Sequence, residues 1–241
     1  TNNTTATSFE WDFCAGELGL DSFVRVNDSL LPAGLGVYGN TRVVNDNGNW
    51  YLFAVASNAW VRASLGSSPL NGIQSITNLG NPGGGLISPQ SIDFIKENSN
   101  WFALVTDNSG NTLKRWSFGS SLLNTPTSVV VALPTGTLSG PRNVSHIYEG
   151  DSLIVIVANA TSNRVRLINF GSSILNNIQP ADTLGVTDVN FSGLFDIKLI
   201  KDCDQWYGIA SSLTNLKVAR VNFGSVVFDN SASVDLITTV A

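Results

Sequence analysis

The feature that most constrains the fold of this chain is an internal repeat with a period of about 52 residues. An acidic residue recurs at steps of 51, 52 and 53, at Asp46, Glu97, Glu149 and Asp202. A glycine followed by serine recurs at steps of 53, 52 and 53, at Gly66, Gly119, Gly171 and Gly224. Two independent landmarks that keep one period indicate four copies of a single structural unit.

Each copy predicts four short β-strands, a to d, and shows no helical periodicity. Strand a alternates polar and apolar side chains, as in residues 91–96, and the turn after it carries the acidic landmark. The pair Asn47-Gly48 in that turn favours a tight hairpin, because both residues tolerate a positive φ. Strand b is apolar, strand c ends at the Gly-Ser landmark, and Gly/Pro-rich connectors such as 81–85 separate the copies.

Four antiparallel strands repeated at this spacing are typical of a β-propeller blade. We therefore predict an all-β fold, a β-propeller of about five blades that occupies residues 1–241 as one domain. The repeat blades are 40–88, 89–140, 141–193 and 194–241, and residues 1–39 form a shorter N-terminal closing blade. The alternative is an incomplete piece of a longer array.

Two cysteines, Cys14 and Cys203, lie far apart in the sequence. They allow a single disulfide, which would clamp the first blade to the last where the ring closes. The alternative is a pair of buried free thiols. No Cys-x-x-Cys or Cys/His cluster is present, so we expect no metal site.

Composition narrows the classes of partner. Thirteen basic and eighteen acidic residues give a net charge of −5, which disfavours binding to nucleic acid or to an anionic membrane. No run of 18 apolar residues predicts a membrane span, and the start of the chain has neither a signal peptide nor an initiating Met. We expect a mature or excised piece of a larger protein, without membrane insertion and monomeric.

The second copy carries a family resemblance. Its run from Asp107 to Phe118 follows a Pro-led strand and an apolar strand, and this order resembles the NHL repeat family of β-propellers. The copies depart from that pattern at Ala56, Asn159, Ser212 and Leu167. Short sequence stretches, such as residues 169–176, are also similar to repeats in large secreted surface proteins of Bacteroidetes-type bacteria. The first resemblance implies a propeller that binds partners or RNA or is occasionally an enzyme, and the second implies export to the cell surface.

Candidate site residues are those that vary between the repeats at the start of each inner strand. In a propeller these positions surround the central axis, and here they form a polar funnel of mixed charge. We predict ligand binding by the funnel residues Asn40, Arg42, Gln90, Ser91, Asp93, Arg142, Asn143, Ser145, Asp196 and Lys198. Trp60, on a predicted rim loop, is a candidate exposed platform for stacking. The alternative is a water-filled channel.

Other conspicuous residues are interpreted as structural. The four acidic landmarks are expected to cap the hairpin between strands a and b, because catalysis needs distinct carboxylates and not one copy in each blade. The repeated Trp50, Trp101 and Trp206 are expected in the core. His146, the only histidine, aligns with apolar residues of the other copies and is expected to be a buried structural histidine.

No catalytic signature stands out, so the first hypothesis is a non-enzymatic, secreted or cell-surface binding module of the adhesion type. It would bind a glycan or a protein ligand, contact the other domains of a larger surface protein and need no cofactor. A second hypothesis is a propeller enzyme, a lyase or hydrolase, that uses Asp93 and Asp196 with Arg42 or Arg142. A third is a structural spacer or assembly scaffold.

Overall fold

The computed structural model describes residues 37–56 and 59–239, which form four antiparallel four-stranded sheets with strands paired in chain order. Blade I holds β1 (Val37–Asp46), β2 (Asn49–Ala56), β3 (Ala59–Gly66) and β4 (Ser75–Gly80); blade II holds β5 (Pro89–Glu97), β6 (Asn100–Asp107), β7 (Thr112–Gly119) and β8 (Thr127–Val130). Blade III holds β9 (Pro141–Glu149), β10 (Ser152–Asn159), β11 (Arg164–Gly171) and β12 (Thr183–Thr187); blade IV holds β13 (Leu194–Asp202), β14 (Gln205–Ser212), β15 (Lys217–Gly224) and β16 (Ser233–Thr239).

Local sequence explains the ends of the strands. The hairpin between β1 and β2 turns through Asn47 and Gly48 with φ of 52° and 82°, the conformation that the Asn-Gly pair predicts. The recurring landmark glycines end the third strand of each blade at a register shift, and Gly171, for example, has a φ of 61°. A side chain is disfavoured in this left-handed conformation, which explains why glycine recurs there.

The four sheets are arranged radially. The first strands of successive blades are neighbours, with β1 beside β5, β5 beside β9 and β9 beside β13. The fourth strands lie at the rim and are largely exposed. The fold is therefore an all-β propeller of about five blades, as predicted, and the described residues supply four of them. Most of the predicted closing blade, residues 1–36, lies outside the described residues.

The hydrophobic core consists of layers between adjacent blades. Blades I and II enclose an aromatic layer in which the Phe53 ring centroid lies 4.4 Å from that of Phe94 and 5.9 Å from that of Phe118. Blades II and III share an aliphatic layer around Leu104 and Val155. A third layer, which includes Phe223, lies between blades III and IV. Each blade thus buries its apolar faces against its neighbours, as a repeat protein must.

The acidic landmarks join blades to one another. The carboxylate of Asp46 in blade I accepts hydrogen bonds from the Leu122 amide (2.9 Å) and the Ser121 hydroxyl (3.1 Å) in the β7–β8 turn of blade II. Glu97 binds Ile174 and Ser173 of blade III in the same way, at 2.9 and 2.6 Å, and Glu149 accepts from the Val227 amide of blade IV at 2.8 Å. We call each such contact a latch. The role is structural, but the partner is the next blade's turn and not the residue's own hairpin.

Helical structure is slight in this part of the chain. Among residues 37–56 and 59–239, the helical structure is one short 3-10 turn, Pro180–Asp182. No helix within 37–56 and 59–239 has the length and apolar character to cross a membrane.

Candidate functional site

Three inner strands begin with the same irregularity of backbone. In β5, β9 and β13 one residue bulges out of the pairing with the second strand, and these residues are Gln90, Arg142 and Phe195. A β-bulge redirects a side chain away from the regular sheet face. Three neighbouring blades therefore aim three different side chains into the same space at the axis.

That space is a cavity of about 320 Å³. Its lining residues are Asn40, Gln90, Arg142, Asn143, Phe195 and Asp196. The Arg142 guanidinium donates to Gln90 Oε1 at 2.9 Å and lies 5.8 Å from the Phe195 ring centroid. The cavity therefore combines amides, a guanidinium, a carboxylate and an aromatic ring. The ring belongs to Phe195, which is 44% exposed.

Two polar groups in the cavity wall have unused hydrogen-bonding capacity. Asn143 is only 2% exposed, and neither its amide oxygen nor its amide nitrogen is hydrogen-bonded to any described residue. Asp196 Oδ1 lies 3.5 Å from Lys198 Nζ and accepts no hydrogen bond from the described part of the chain. Buried polar atoms normally have partners, so these groups are suited to receive a ligand's hydroxyls.

Two residues further along the inner strands lies a charged layer centred on Asp93. Its Oδ1 is 3.6 Å from Arg42 Nε, and its Oδ2 is 2.7 Å from His146 Nδ1. Arg42 also donates to Asn40 Oδ1 at 3.1 Å and to the Val144 carbonyl at 3.3 Å. These contacts come from blades I, II and III, so only the assembled ring holds the Asp93 carboxylate in place.

Lys198 completes this layer from blade IV. Burial lowers the pKa of its ammonium, and the positive charge of Arg42 lowers it further. The carboxylates of Asp196 and Asp93 act in the opposite direction. Lys198 is therefore within electrostatic range of both funnel carboxylates.

The structure brings the predicted funnel residues together around the axis. Asn40, Gln90, Arg142, Asn143 and Asp196 line the cavity, whereas Arg42, Asp93 and Lys198 form the charged layer. Ser91 is buried, and its hydroxyl accepts from Asn40 Nδ2 at 3.3 Å. Ser145 Oγ is buried without a hydrogen bond to any described residue.

The prediction that Trp60 is an exposed platform for stacking is wrong. It is fully buried between blades I and II, with its ring centroid 6.5 Å from that of Trp116 in an edge-to-face pair. Its strand β3 begins at Ala59, so Trp60 belongs to the strand and not to a rim loop. Trp60 packs in the core and offers no platform to a ligand.

His146 and Phe195 are the site residues that sequence analysis missed. His146 was expected on an apolar face, but its ring lies against Asp93 of the neighbouring strand. Phe195 immediately precedes Asp196, as Gln90 precedes Ser91 and Arg142 precedes Asn143. That shared position was a signal in the sequence, but the bulge that turns the side chains inward becomes visible only in the strand pairing.

The metal and disulfide predictions concern the acidic, histidine and cysteine side chains of the chain. Residues 37–56 and 59–239 contain no group of three or more His, Cys, Asp or Glu side chains arranged to hold a metal ion. Cys203 is exposed in the β13–β14 turn, where a hydrogen bond to Asp202 and the charge of that carboxylate raise the pKa of its thiol. Cys14 lies outside the described residues, so the predicted Cys14–Cys203 bond stays a prediction.

Comparison with known proteins finds likeness in fold alone. No protein-family model and no curated protein sequence matches the chain. Among solved structures, an exo-β-1,3-galactanase from Phanerochaete chrysosporium with β-1,3-galactotriose is 12% identical, with a TM-score of 0.63 over 84% of this chain and 50% of the galactanase. An α-L-arabinofuranosidase from Lactobacillus brevis is 10% identical, with a TM-score of 0.59 over 82% of this chain and 72% of the enzyme.

A β-1,3-galactosidase of glycoside hydrolase family 43, solved with galactodeoxynojirimycin, is 8% identical, with a TM-score of 0.57 over 83% of this chain and 79% of its own. The chain thus spans about half the length of the galactanases that it matches.

These neighbours correct two predictions. They support a β-propeller, but not NHL repeats in particular, because the matching folds are those of family 43 glycoside hydrolases. The prediction of a non-enzymatic binding module is contradicted by the same finding, since the neighbours are carbohydrate-active enzymes.

Proposed function

We propose that this chain binds a glycan in the axial cavity and hydrolyses a glycosidic bond there. The observation that carries the proposal is the placement of Asp196 and Phe195, a carboxylate and an aromatic ring from consecutive residues, in the wall of one cavity. The ring offers a face to a sugar, and the carboxylate offers a proton-transfer group. The likeness in fold to glycoside hydrolases supports this assignment.

The other lining groups suit a neutral sugar. Gln90, Asn40 and Asn143 present amide donors and acceptors, and Arg142 presents a planar array of donors. The free amide of the buried Asn143 is matched to a hydroxyl group, which also donates and accepts. A few oriented polar groups beside an apolar surface are typical of small-ligand sites.

Glycoside hydrolysis generally uses two carboxylates and passes through a transition state with positive charge on the sugar ring. We assign proton transfer at the glycosidic oxygen to Asp196, because it is the carboxylate that lines the cavity. Asp93 is the second carboxylate. Arg42 and His146 hold it in one orientation, so that its negative charge is fixed before the substrate arrives.

The experiment is a turnover assay with the purified chain. Candidate substrates are β-1,3-galacto-oligosaccharides and α-L-arabinofuranosides, which follow from the names of the matched enzymes. We expect sugar release by the native chain and a loss of kcat of about 100- to 10,000-fold in Asp196→Asn, since a general acid or base contributes that range.

The matched control is Asp151→Asn, which changes an exposed carboxylate in the β9–β10 turn. It should leave kcat unchanged. Calorimetric titration with the same sugars separates binding from chemistry. Sugars that bind in the cavity without being cleaved by the native chain would contradict hydrolysis.

We further propose that the chain acts outside the cell as part of a larger surface protein. The support is the resemblance of its repeats to those of secreted surface proteins and the polar surface of Asn, Ser and Thr. Protease shaving of intact source cells tests this location. A chain that survives shaving and is degraded only after lysis would contradict it.

A further inference from the structure

The axial funnel carries a surplus of positive charge. Its residues include three cations, Arg42, Arg142 and Lys198, but only two carboxylates, those of Asp93 and Asp196. Asp93 Oδ1 lies 3.6 Å from Arg42 Nε. Asp196 Oδ1 lies 3.5 Å from Lys198 Nζ. Arg142 forms no ion pair with any described residue, so one cation at the axis is unbalanced in a chain whose net charge is −5.

Neutral contacts fix the orientation of the Arg142 guanidinium. Its Nη1 donates to Gln90 Oε1 at 2.9 Å, and its central carbon lies 5.8 Å from the centroid of the Phe195 ring. Gln90 is held in turn, because its Nε2 donates to the Ser88 hydroxyl at 3.0 Å. An arginine has several N–H donors, and within the described residues Arg142 uses one nitrogen, Nη1. Blades II and IV therefore position the guanidinium, while its charge and its other donors stay available.

A guanidinium with unused donors is complementary to a carboxylate, which it binds through two parallel hydrogen bonds. The rest of the cavity favours a sugar as the bearer of that group. Asn143 is 2% exposed, and its amide oxygen and nitrogen, unpaired among the described residues, suit hydroxyl groups. Phe195 adds an apolar face. We infer that the glycan of this cavity is acidic: Arg142 binds the carboxylate of a uronic acid, and the amides bind neutral hydroxyls.

This inference rests on the proposed function and names the class of glycan that the cavity takes. Asp196 forms no ion pair with Arg142, although both side chains line the cavity. A ligand carboxylate is repelled by Asp196 and attracted by Arg142, so it lies away from the group that acts on the glycosidic oxygen. Arg142 thus determines specificity and takes no part in proton transfer.

Calorimetric titration of the full chain with three matched probes tests the inference. The probes are methyl β-D-galactopyranoside, the corresponding glycoside of galacturonic acid, and the methyl ester of that acid; galactosides are used because the matched structures include galactanases. The acid and its ester share their ring and hydroxyl groups and differ in charge, so the ratio of their Kd values isolates the carboxylate. The acid should bind roughly 10- to 100-fold more tightly than the ester, and this preference should shrink at high ionic strength.

Variants of Arg142 connect the preference to the guanidinium. Arg142→Gln should bind acid and ester with equal Kd values, and Arg142→Lys should keep only part of the preference, because an ammonium retains the charge but not the planar array of donors. The matched control is Arg220→Gln, which changes a 48% exposed arginine of β15 and should keep the native ratio. Equal Kd values for acid and ester in the native chain, or a preference that survives in Arg142→Gln, would overturn the inference.

A turnover assay separates this inference from the proposed function. If the native chain cleaves neutral β-1,3-galacto-oligosaccharides but does not distinguish acid from ester, hydrolysis stands and the acidic glycan is ruled out. If the acid is preferred through Arg142 but no glycan is cleaved, the ligand class stands and hydrolysis is ruled out. Absence of binding by all three probes would overturn both.

Discussion

At the scale of single residues, function and scaffold occupy different positions of the same repeat. The landmark acids Asp46, Glu97 and Glu149 each join their blade to the next, and the landmark glycines end the third strands in a left-handed conformation. Gln90, Arg142 and Phe195 occupy the same bulged position in three blades but differ in chemistry, and all three side chains line the axial cavity. Under the proposed function, specificity for a ligand therefore resides at the positions where the repeats differ.

Phe195 allows a direct test of the cavity. Phe195→Ala should raise the Kd for a bound sugar roughly three- to tenfold, since an aromatic contact contributes about 0.5–1.5 kcal/mol. The free energy of unfolding should change little, because the ring is 44% exposed. Titration calorimetry measures the first effect and urea unfolding the second. Leu213→Ala, at a 60% exposed position of the same blade, is the control; equal Kd values for both variants would remove Phe195 from the site.

The ionisation of the Asp46 carboxyl predicts how the free energy of unfolding depends on pH. Burial tends to raise the pKa of its carboxyl, but the Leu122 amide, the Trp101 indole, the Ser121 hydroxyl and the Lys96 charge outweigh burial and hold it below the usual value. A lowered pKa in the folded state means that stabilisation is present above the unfolded pKa of about 4 and is lost as the pH falls through the folded pKa.

Asp46→Asn should accordingly lower the free energy of unfolding by about 2 kcal/mol at pH 7, because buried donors lose a charged acceptor. The difference from the native chain should shrink as the pH is lowered from 4 towards 2. Urea unfolding across this range measures it, with the exposed Asp151→Asn as control. A difference that does not vary with pH would contradict an ionised latch.

Within a strand, the burial of an aromatic side chain determines whether it packs in the core or can contact a ligand. Trp60 lies second in β3 and is wholly buried against Trp116. The first five residues of β3 are all buried, whichever face of the sheet they occupy, so placing Trp60 in a loop instead of in the strand was enough to reverse its assignment. The position of an aromatic residue near a loop is therefore weak support for an exposed platform.

Trp60→Ala tests this reversal. We expect a loss of about 3–5 kcal/mol in the free energy of unfolding, the usual cost of deleting a large buried aromatic side chain. Urea unfolding measures the change, and sugar affinity should be unaltered in the fraction that remains folded. A change below about 0.5 kcal/mol would be typical of a surface residue and would contradict the core position.

At the scale of the whole molecule, radial packing creates the site. Asp93 in blade II is held by Arg42 of blade I and His146 of blade III, so no single blade contains the charged layer. Between the blades, apolar layers and latches hold the inner strands at fixed spacing. Loosening a seam should therefore disturb the axis as well as stability.

The predicted disulfide concerns the whole molecule, because it would join the N-terminal segment to Cys203, which is exposed in the β13–β14 turn of blade IV. In protein secreted into an oxidising medium, reduction should add two hydrogen atoms to the intact mass and lower the free energy of unfolding by about 2–4 kcal/mol. Mass spectrometry with and without reductant measures the first change. Alkylation of both Cys14 and Cys203 in unreduced protein would contradict the bond.

The all-β class and the four blades follow from the repeat in the sequence, because a repeat of this length can bury its apolar faces only against copies of itself. Asp196, Arg142 and their neighbours could be predicted from alignment of the copies. Three features could be learned only from the folded chain: the partners of the latches, the pairing of His146 with Asp93 and the inward turn of Phe195. These join residues of different blades or depend on a local register shift, and a one-dimensional pattern records neither the distance between strands nor the direction of a bulged side chain.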